Sequence, residues 1–291
     1  MKVLVLGASG MIGSAIFRTL CEKTTWDVLG TARSDRSRQF FQSSMARKLR
    51  TGIHTEDQDG LIRLFGEVQP DVVINCIGLT KHHAEANDPV LTIPVNALLP
   101  HRLAAMSRVA GARLIHISTD CVFSGKKGGY TEEDFADAND LYGRSKLLGE
   151  VHYPHAVTLR TSTIGHELDS QYGLLEWFLA QGKFCKGFNQ AIFSGLPNVV
   201  FAEVIRDIVI PRPELSGLYH VGAQPIGKYE LLRLIADTYQ KDINIEKDES
   251  FAIDRSLNSL RFESATGYKA PDWNTLIKIM HTSNRQMTRH V

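Results

Sequence analysis

Short apolar runs rich in valine, leucine and isoleucine recur along the chain, each closed by glycine or polar residues and followed by a segment of helical periodicity. Lys2 to Leu6 is the first. Trp26 to Thr31, Asp71 to Cys76, Leu114 to Ile117 and Val157 to Arg160 repeat the pattern, and Leu218 to Val221 is a late member. Continuous apolar runs suit strands buried on both faces, and their alternation with helical segments predicts βαβ units around a parallel sheet. The expected class is therefore α/β, with a doubly wound parallel sheet. Tyr229 to Tyr239 predicts an amphipathic helix whose apolar face is Leu231, Leu232, Leu234 and Ile235. Gly173 to Phe184 also reads as helical, with Trp177 and Phe178 expected in the core. No repeat or low-complexity linker marks a domain boundary.

Composition narrows the class. The 291 residues are 43% apolar and 22% charged, which supports a sizeable core, and the formal net charge of +1 gives no electrostatic footprint for nucleic acid. Cys21, Cys76, Cys121 and Cys185 are too widely spaced for a metal finger or a redox pair, so free thiols are expected. The apolar run near the start is too short for a signal peptide, and no segment has the length of a membrane span. A soluble, cytoplasmic protein is expected, with no membrane partner.

Chemistry enters at the first turn. Lys2 to Leu6 feeds into Gly7-Ala8-Ser9-Gly10-Met11-Ile12-Gly13 and then an amphipathic run from Ser14 to Glu22. Glycines so placed permit a tight turn, let a pyrophosphate approach the backbone and let helix pack on strand, so the stretch reads as a dinucleotide site. Arg33 follows the second strand where a site preferring NAD places an acid for the ribose 2′-hydroxyl. Arginine suits a 2′-phosphate, and Ser34, Arg36 and Arg38 add donors, so NADP(H) is favoured. NAD(H) stays open through Asp35, which could serve as the acid. Further on, Tyr142 and Lys146 stand four apart on a predicted helix and share one face. A lysine charge there is expected to lower the phenol's pKa, as a general acid requires.

The glycine turn, Thr119, Tyr142 and Lys146 together resemble the extended short-chain dehydrogenase/reductases. More narrowly, S-T-D-C-V-F-S-G from Ser118, Y-T-E-E-D from Tyr130 and L-Y-G-R-S-K-L-L-G-E from Leu141 resemble the dTDP-4-dehydrorhamnose reductase group, and the similarity runs from Val3 to about Met280. The resemblance implies a Rossmann-type sheet over residues 1–162, rejoined by a strand near 217–222. It implies a smaller, discontinuous substrate lobe from 163–216 and 223–291. It also implies reduction of the C4 carbonyl of a nucleotide-linked 4-keto-6-deoxyhexose, UDP- or dTDP-bound, in cell-surface polysaccharide sugar biosynthesis, and it allows a homodimer. A sugar-nucleotide epimerase and a cofactor-binding regulatory subunit are the rival readings.

Residue roles follow from the same resemblance. Tyr142, Lys146 and Thr119 are the catalytic set. Gly7, Ser9, Gly10, Met11, Ile12, Gly13, Arg33, Ser34, Asp57, Cys76, Ile77, Gly78, Asn96, Ser118 and Arg160 join Tyr142 and Lys146 as cofactor contacts. Lys81, His83, Asp120, Cys121, Thr163, Ser194 and Arg255 join Thr119 as substrate contacts. The chain departs from the family pattern at Cys121, where many relatives carry tyrosine, and at Thr163, where many carry tryptophan. The adjacent His82 and His83 have no further ligand at convincing spacing, so no metal is expected.

Overall fold

The computed structural model describes residues 1–81 and 84–288. Its centre is a seven-stranded sheet built from β1 (Lys2–Leu6), β2 (Asp27–Thr31), β3 (Leu49–Arg50), β4 (Val72–Asn75), β5 (Arg113–Thr119), β6 (Ala156–Thr161) and β7 (Gly217–His220). Every pairing within it is parallel, in the order β7-β6-β5-β4-β1-β2-β3. Alternation along one strand explains the layering. On β1, Val3 and Val5 join one core and Leu4 and Leu6 the other, so the strand is buried on both faces.

Crossover helices cover those faces. They are α1 (Met11–Lys23), α2 (Gln58–Val68), α3 (Leu99–Val109) and α4 (Leu141–Leu148), which lead into β2, β4, β5 and β6, and α5 (Asn198–Val204), which precedes β7. Phe201 and Val204 of α5 share a core with Ile16 and Phe17 of α1. The chain leaves β1 toward β2 on one side and enters β4 on the other. The strand order therefore reverses at β1, and the crevice beyond the carboxyl ends of β1 and β4 is where such sheets bind ligands.

Residues after β6 build a second layer of small sheets. Thr163–Ile164 pairs with Leu196–Pro197, and Phe184–Phe188 pairs with Asn244–Asp248. Ala191–Phe193 is flanked by Ile226–Gly227 and Ile253–Asp254. Helix α6 (Lys228–Tyr239) starts directly after that last group, and α7 (Trp273–Thr288) packs Leu276, Ile277 and Met280 into the large core. The helix expected from Gly173 to Phe184 is shorter, Leu174–Ala180, and Phe184 instead opens a strand. Phe178 is fully buried as expected, whereas Trp177 is 39% exposed. Adjacent helix positions point about 100° apart, and only the face carrying Leu175 and Phe178 meets the core.

The start of α1 has no slack. A Cβ on Gly13 would stand 2.1 Å from the carbonyl oxygen of Gly7 and 2.8 Å from its carbon. Gly13→Ala should therefore lift the helix off the turn and cost about 1–3 kcal/mol, the usual penalty of overpacking. Urea unfolding checks this, and an unchanged midpoint would show that the helix can yield there.

Candidate active site

The glycine turn closes on itself through Gly7, which takes φ +78°, and through Thr31 of β2. Thr31 accepts the Gly7 N–H at 3.2 Å on its hydroxyl and the Ala8 N–H at 2.8 Å on its carbonyl. Gly10 caps α1 without a side-chain bond, and no acid stands in the first turn. Ser9 and Gly10 are exposed, Met11 and Ile12 half-buried, and the first-turn amides lack intrahelical acceptors. The Met11 carbonyl is engaged from behind by Asn198 Nδ2 at 3.2 Å. What faces the crevice is a set of N–H groups at a positive helix end, suited to a pyrophosphate.

Arg33 follows β2, exposed, and forms no ion pair among the described residues. The Ser34 hydroxyl accepts the Arg36 N–H at 3.2 Å. Asp35 is committed elsewhere: Arg38 Nε donates to it at 2.6 Å and Thr51 Oγ1 at 3.0 Å, and these bonds hold its carboxyl below the usual range. An acid so engaged is poorly placed for a ribose, which leaves Arg33 as the group available there. Asp57, expected as a cofactor contact, caps α2, accepting the Gly60 N–H at 2.8 Å with Arg63 at 3.7 Å.

Cys76, Ile77 and Gly78 form the half-buried floor after β4, where Asn75 Oδ1 accepts the Ile77 N–H at 3.1 Å. Burial pushes the Cys76 thiol up to about 12. Asn96 was expected at the cofactor, but its amide is fully used inside the protein. It accepts the Leu79 N–H at 2.9 Å and donates to the Leu79 carbonyl at 2.9 Å and to Ser145 Oγ at 3.2 Å. Asn96 thus clasps the loop after β4 to α4 and supports the site from behind.

The catalytic set does converge. Thr119 ends β5, Asp120 follows in a short turn, and α4 lays Tyr142 and Lys146 over that end. Helix and turn touch closely at Gly143, where a Cβ would stand 2.2 Å from the Cys121 carbonyl oxygen. Thr119 acts on the Tyr142 phenol, accepts the Cys121 N–H at 3.1 Å and donates to Asp120 at 3.1 Å. Lys146 is 5% exposed and donates to the Ile117 carbonyl at 2.8 Å. Burial brings its ammonium down to about 8, against the opposing pull of Glu150 and Cys76.

One expectation fails in the resting site. The Tyr142 phenol lies above, not below, its ordinary value, because burial dominates and Cys121, Asp120 and Asp140 push the same way. Lys146 is turned to the Ile117 carbonyl and does not offset this.

Three further expected site residues have long-range partners within the protein. Arg160, expected at the cofactor, forms a buried fork on Glu150, Nε to Oε1 and Nη2 to Oε2, both at 2.7 Å. Ser118, also expected there, donates to Glu150 at 2.7 Å. Ser194, expected at the substrate, is 4% exposed and accepts the Leu257 N–H at 2.9 Å, which ties two lobe segments together. Thr163 is half-buried in the strand that pairs with Leu196. His83 lies outside the described residues.

Arg255, expected at the substrate, donates to the Phe123 carbonyl at 2.8 Å and reaches Cys121 Sγ at 3.7 Å. Its charge and that of the exposed Lys81 act on Asp120, whose carboxyl burial pushes up. Burial also pushes the Cys121 thiol up to about 11, so it is a poor nucleophile here. The structure adds a residue the sequence reading missed. Lys228, the first residue of α6, stands within electrostatic reach of Lys81, Asp120, Cys121 and Arg255. Its only local mark was a lysine opening an amphipathic run.

Comparison with known proteins fits this geometry. Among curated proteins, methionine adenosyltransferase 2 subunit beta of Danio rerio is 31% identical over 82% of this chain and 74% of its own length. A probable low-salt glycan biosynthesis reductase of Haloferax volcanii is 33% identical over 77% and 75%. Among solved structures, dTDP-4-dehydrorhamnose reductase from Bacillus anthracis, in complex with NADP, has a TM-score of 0.79 at 19% identity, covering 97% of this chain and 99% of that one. The family model described as RmlD substrate binding domain matches residues 1–183, and the chain belongs to that family.

Proposed function

We propose that the chain is a reductase preferring NADP(H), which transfers hydride to the C4 carbonyl of a UDP- or dTDP-linked 4-keto-6-deoxyhexose in cell-surface polysaccharide sugar biosynthesis. The observation that carries the reading is the meeting of Thr119, Tyr142 and Lys146 at one strand end beside the glycine-turn crevice. The residues present fit the cofactor. A glycine-rich turn with no capping side chain and with free helix amides takes the pyrophosphate, and the unpaired Arg33 takes the 2′-phosphate. Relatives support it, one named as a glycan biosynthesis reductase and one solved with NADP. Residues 1–162 with the strand near 217–222 then hold the cofactor, and 163–216 with 223–291 mainly hold substrate. No helix among the described residues is long and apolar enough to cross a membrane, and the reading assigns the chain to the cytoplasm.

Bound nicotinamide supplies the hydride. Tyr142, protonated at rest, donates its proton to the alkoxide as it forms. Lys146 stabilises the phenolate left behind, and its position 3.9 Å from where a Gly78 Cβ would lie keeps it beside the cofactor floor. Thr119 presents its hydroxyl beside the phenol, so an arriving ketone oxygen competes with Asp120 for its proton. Positioning and charge stabilisation supply most of the rate.

A second reading has its own support: the match to methionine adenosyltransferase 2 subunit beta favours a subunit of a partner enzyme. A partner transferase recovered with this chain, together with no turnover on any keto-sugar nucleotide, would establish that role instead.

NADPH oxidation on a panel of UDP- and dTDP-4-keto-6-deoxyhexoses tests the reductase. Tyr142→Phe should lower kcat by about 100- to 10,000-fold, the usual contribution of a general acid, and spare NADPH affinity; Lys146→Ala should weaken both. Normal turnover by Tyr142→Phe would remove the assigned acid. The pH profile of kcat/KM should fall as pH rises through about 8, because Lys146 loses its charge there while the phenol is still protonated. Lys146→Arg should carry that limb to higher pH, and a limb indifferent to the substitution would belong to another group. Arg33→Asp should cut the preference for NADPH over NADH by about ten- to a hundredfold, the worth of a charged hydrogen bond, and equal preference before and after would relocate the 2′-phosphate site.

A further inference from the structure

Of the three arginines expected around a 2′-phosphate, two are already engaged. Arg38 is spent within its own loop, on Asp35, on the Ala46 carbonyl and on Thr51 Oγ1 at 3.4 Å. Arg36 is spent on the other lobe, where its Nη2 lies 3.0 Å from one carboxylate oxygen of Asp169 and 3.2 Å from the other. Only Arg33 has neither an ion pair nor a side-chain hydrogen bond among the described residues.

Asp169 comes from a loop that is fixed where it starts. The His166 carbonyl and the Met11 carbonyl of the glycine turn both accept from Asn198 Nδ2, at 3.3 and 3.2 Å. A Cβ on Gly165 would stand 2.1 Å from Asn198 Oδ1, so the two segments are in close contact. The His166 ring is held between Glu176 at 2.6 Å and the Tyr239 hydroxyl at 2.9 Å, and Glu167 accepts the Gly173 N–H at 2.8 Å. The loop therefore leaves the glycine turn with little freedom and, three residues on, meets the segment after β2, the ribose end of such a crevice. The contact there is the Arg36 and Asp169 pair, whose side chains are 68% and 52% exposed, so a ligand can reach it.

We infer that Asp169 is a specificity-determining residue for the cofactor: it holds Arg36 and so restrains the preference for NADPH over NADH, because a 2′-phosphate has to take that guanidinium from it. This rests on the cofactor reading above. Phosphate and carboxylate seek the same guanidinium fork. Sharing it sets like charges side by side, and a phosphate monoester brings nearly two of them at neutral pH. NADH carries a hydroxyl at that place and leaves the pair standing. The discriminating acid, which such sheets usually carry at the end of the second strand, here comes from the lobe, 133 positions after the arginine it offsets.

The test is calorimetric titration of NADPH and NADH into the full chain, with adenosine 2′,5′-bisphosphate and 5′-AMP as the smallest pair differing only by that phosphate. Asp169→Asn should tighten NADPH and the bisphosphate by about two- to fivefold, the worth of an exposed ion pair, and leave NADH and 5′-AMP unchanged. The gain should shrink as salt rises. Arg36→Gln should weaken the two 2′-phosphorylated ligands alone, and on that background the gain from Asp169→Asn should fall by at least half. A merely structural contact predicts the opposite sign, since its loss would weaken both cofactors alike. Equal changes for NADPH and NADH, or the same gain with and without Arg36, overturn the inference. Arg33→Asp separates it from the cofactor reading. If that substitution removes the NADPH preference while Asp169→Asn changes nothing, Asp169 is excluded and the 2′-phosphate site stands. A wild type that binds the bisphosphate no better than 5′-AMP, with Arg33→Asp also without effect, overturns both.

Discussion

The buried fork between Glu150 and Arg160 is the constraint on which the site's geometry depends. Its side chains are 2% and 5% exposed, a setting in which each ion pays several kcal/mol of lost hydration unless every polar atom finds a partner. Here they do. Glu150 takes two bonds from Arg160 and one from Ser118, and Arg160 spends a further N–H on His220 Nε2 at 3.2 Å while lying over the Phe123 ring. His220 must accept at Nε2, so its proton sits on Nδ1, facing the Tyr130 carbonyl at 3.0 Å. Burial and the Arg160 charge hold this imidazole down at about 3, which keeps it neutral and able to accept. Ser118, Arg160 and His220 stand on β5, β6 and β7, and Glu150 lies just past the end of α4. One ionic knot thus fixes three strand ends to the helix that carries Tyr142 and Lys146.

A second clasp acts on the opposite side. Asn96 behaves like a strand edge toward Leu79 and reaches Ser145 on the face of α4 away from solvent. Between the two clasps α4 has little freedom to rotate, and Gly143 lets it settle directly onto the Cys121 carbonyl. The phenol, the ammonium and the threonine hydroxyl are therefore held before any ligand arrives. That preorganisation is what a reaction driven by positioning requires.

Local patterns carried the parts of this arrangement that are themselves local. The glycine turn, the i and i+4 spacing of Tyr142 and Lys146, and the apolar runs of β1, β4, β5 and β6 depend on residues close in sequence, so period and spacing reveal them. Partner choice across the fold is different. Ser118, Asn96, Arg160 and Ser194 stand near the cleft as expected, yet each side chain is spent on a distant group: Glu150, Leu79 with Ser145, Glu150 again and the Leu257 amide. Nothing within a few residues of Arg160 says that a glutamate ten positions earlier will take its fork. Asp57 also answers a local demand, since its carboxylate caps α2. Lys228 was invisible because a lysine at a helix start is common, and only the folded chain shows which cations it joins.

The electrical layout also bears on the chemistry. Free helix amides and Arg33 make one end of the cleft positive, and Lys81, Lys228 and Arg255 stand within electrostatic reach of Asp120, next to Thr119. At the reacting centre burial, Cys121, Asp120 and Asp140 all keep the proton on Tyr142. A ketone needs only a proton offered as charge develops on its oxygen, and a phenol held protonated beside a lysine offers it when the hydride arrives. The Lys146 ammonium, brought down to about 8 by burial, is still charged at neutral pH and can stabilise the phenolate formed in that step. A phenol held protonated in the resting site thus suits the proton donation that the proposed reduction requires.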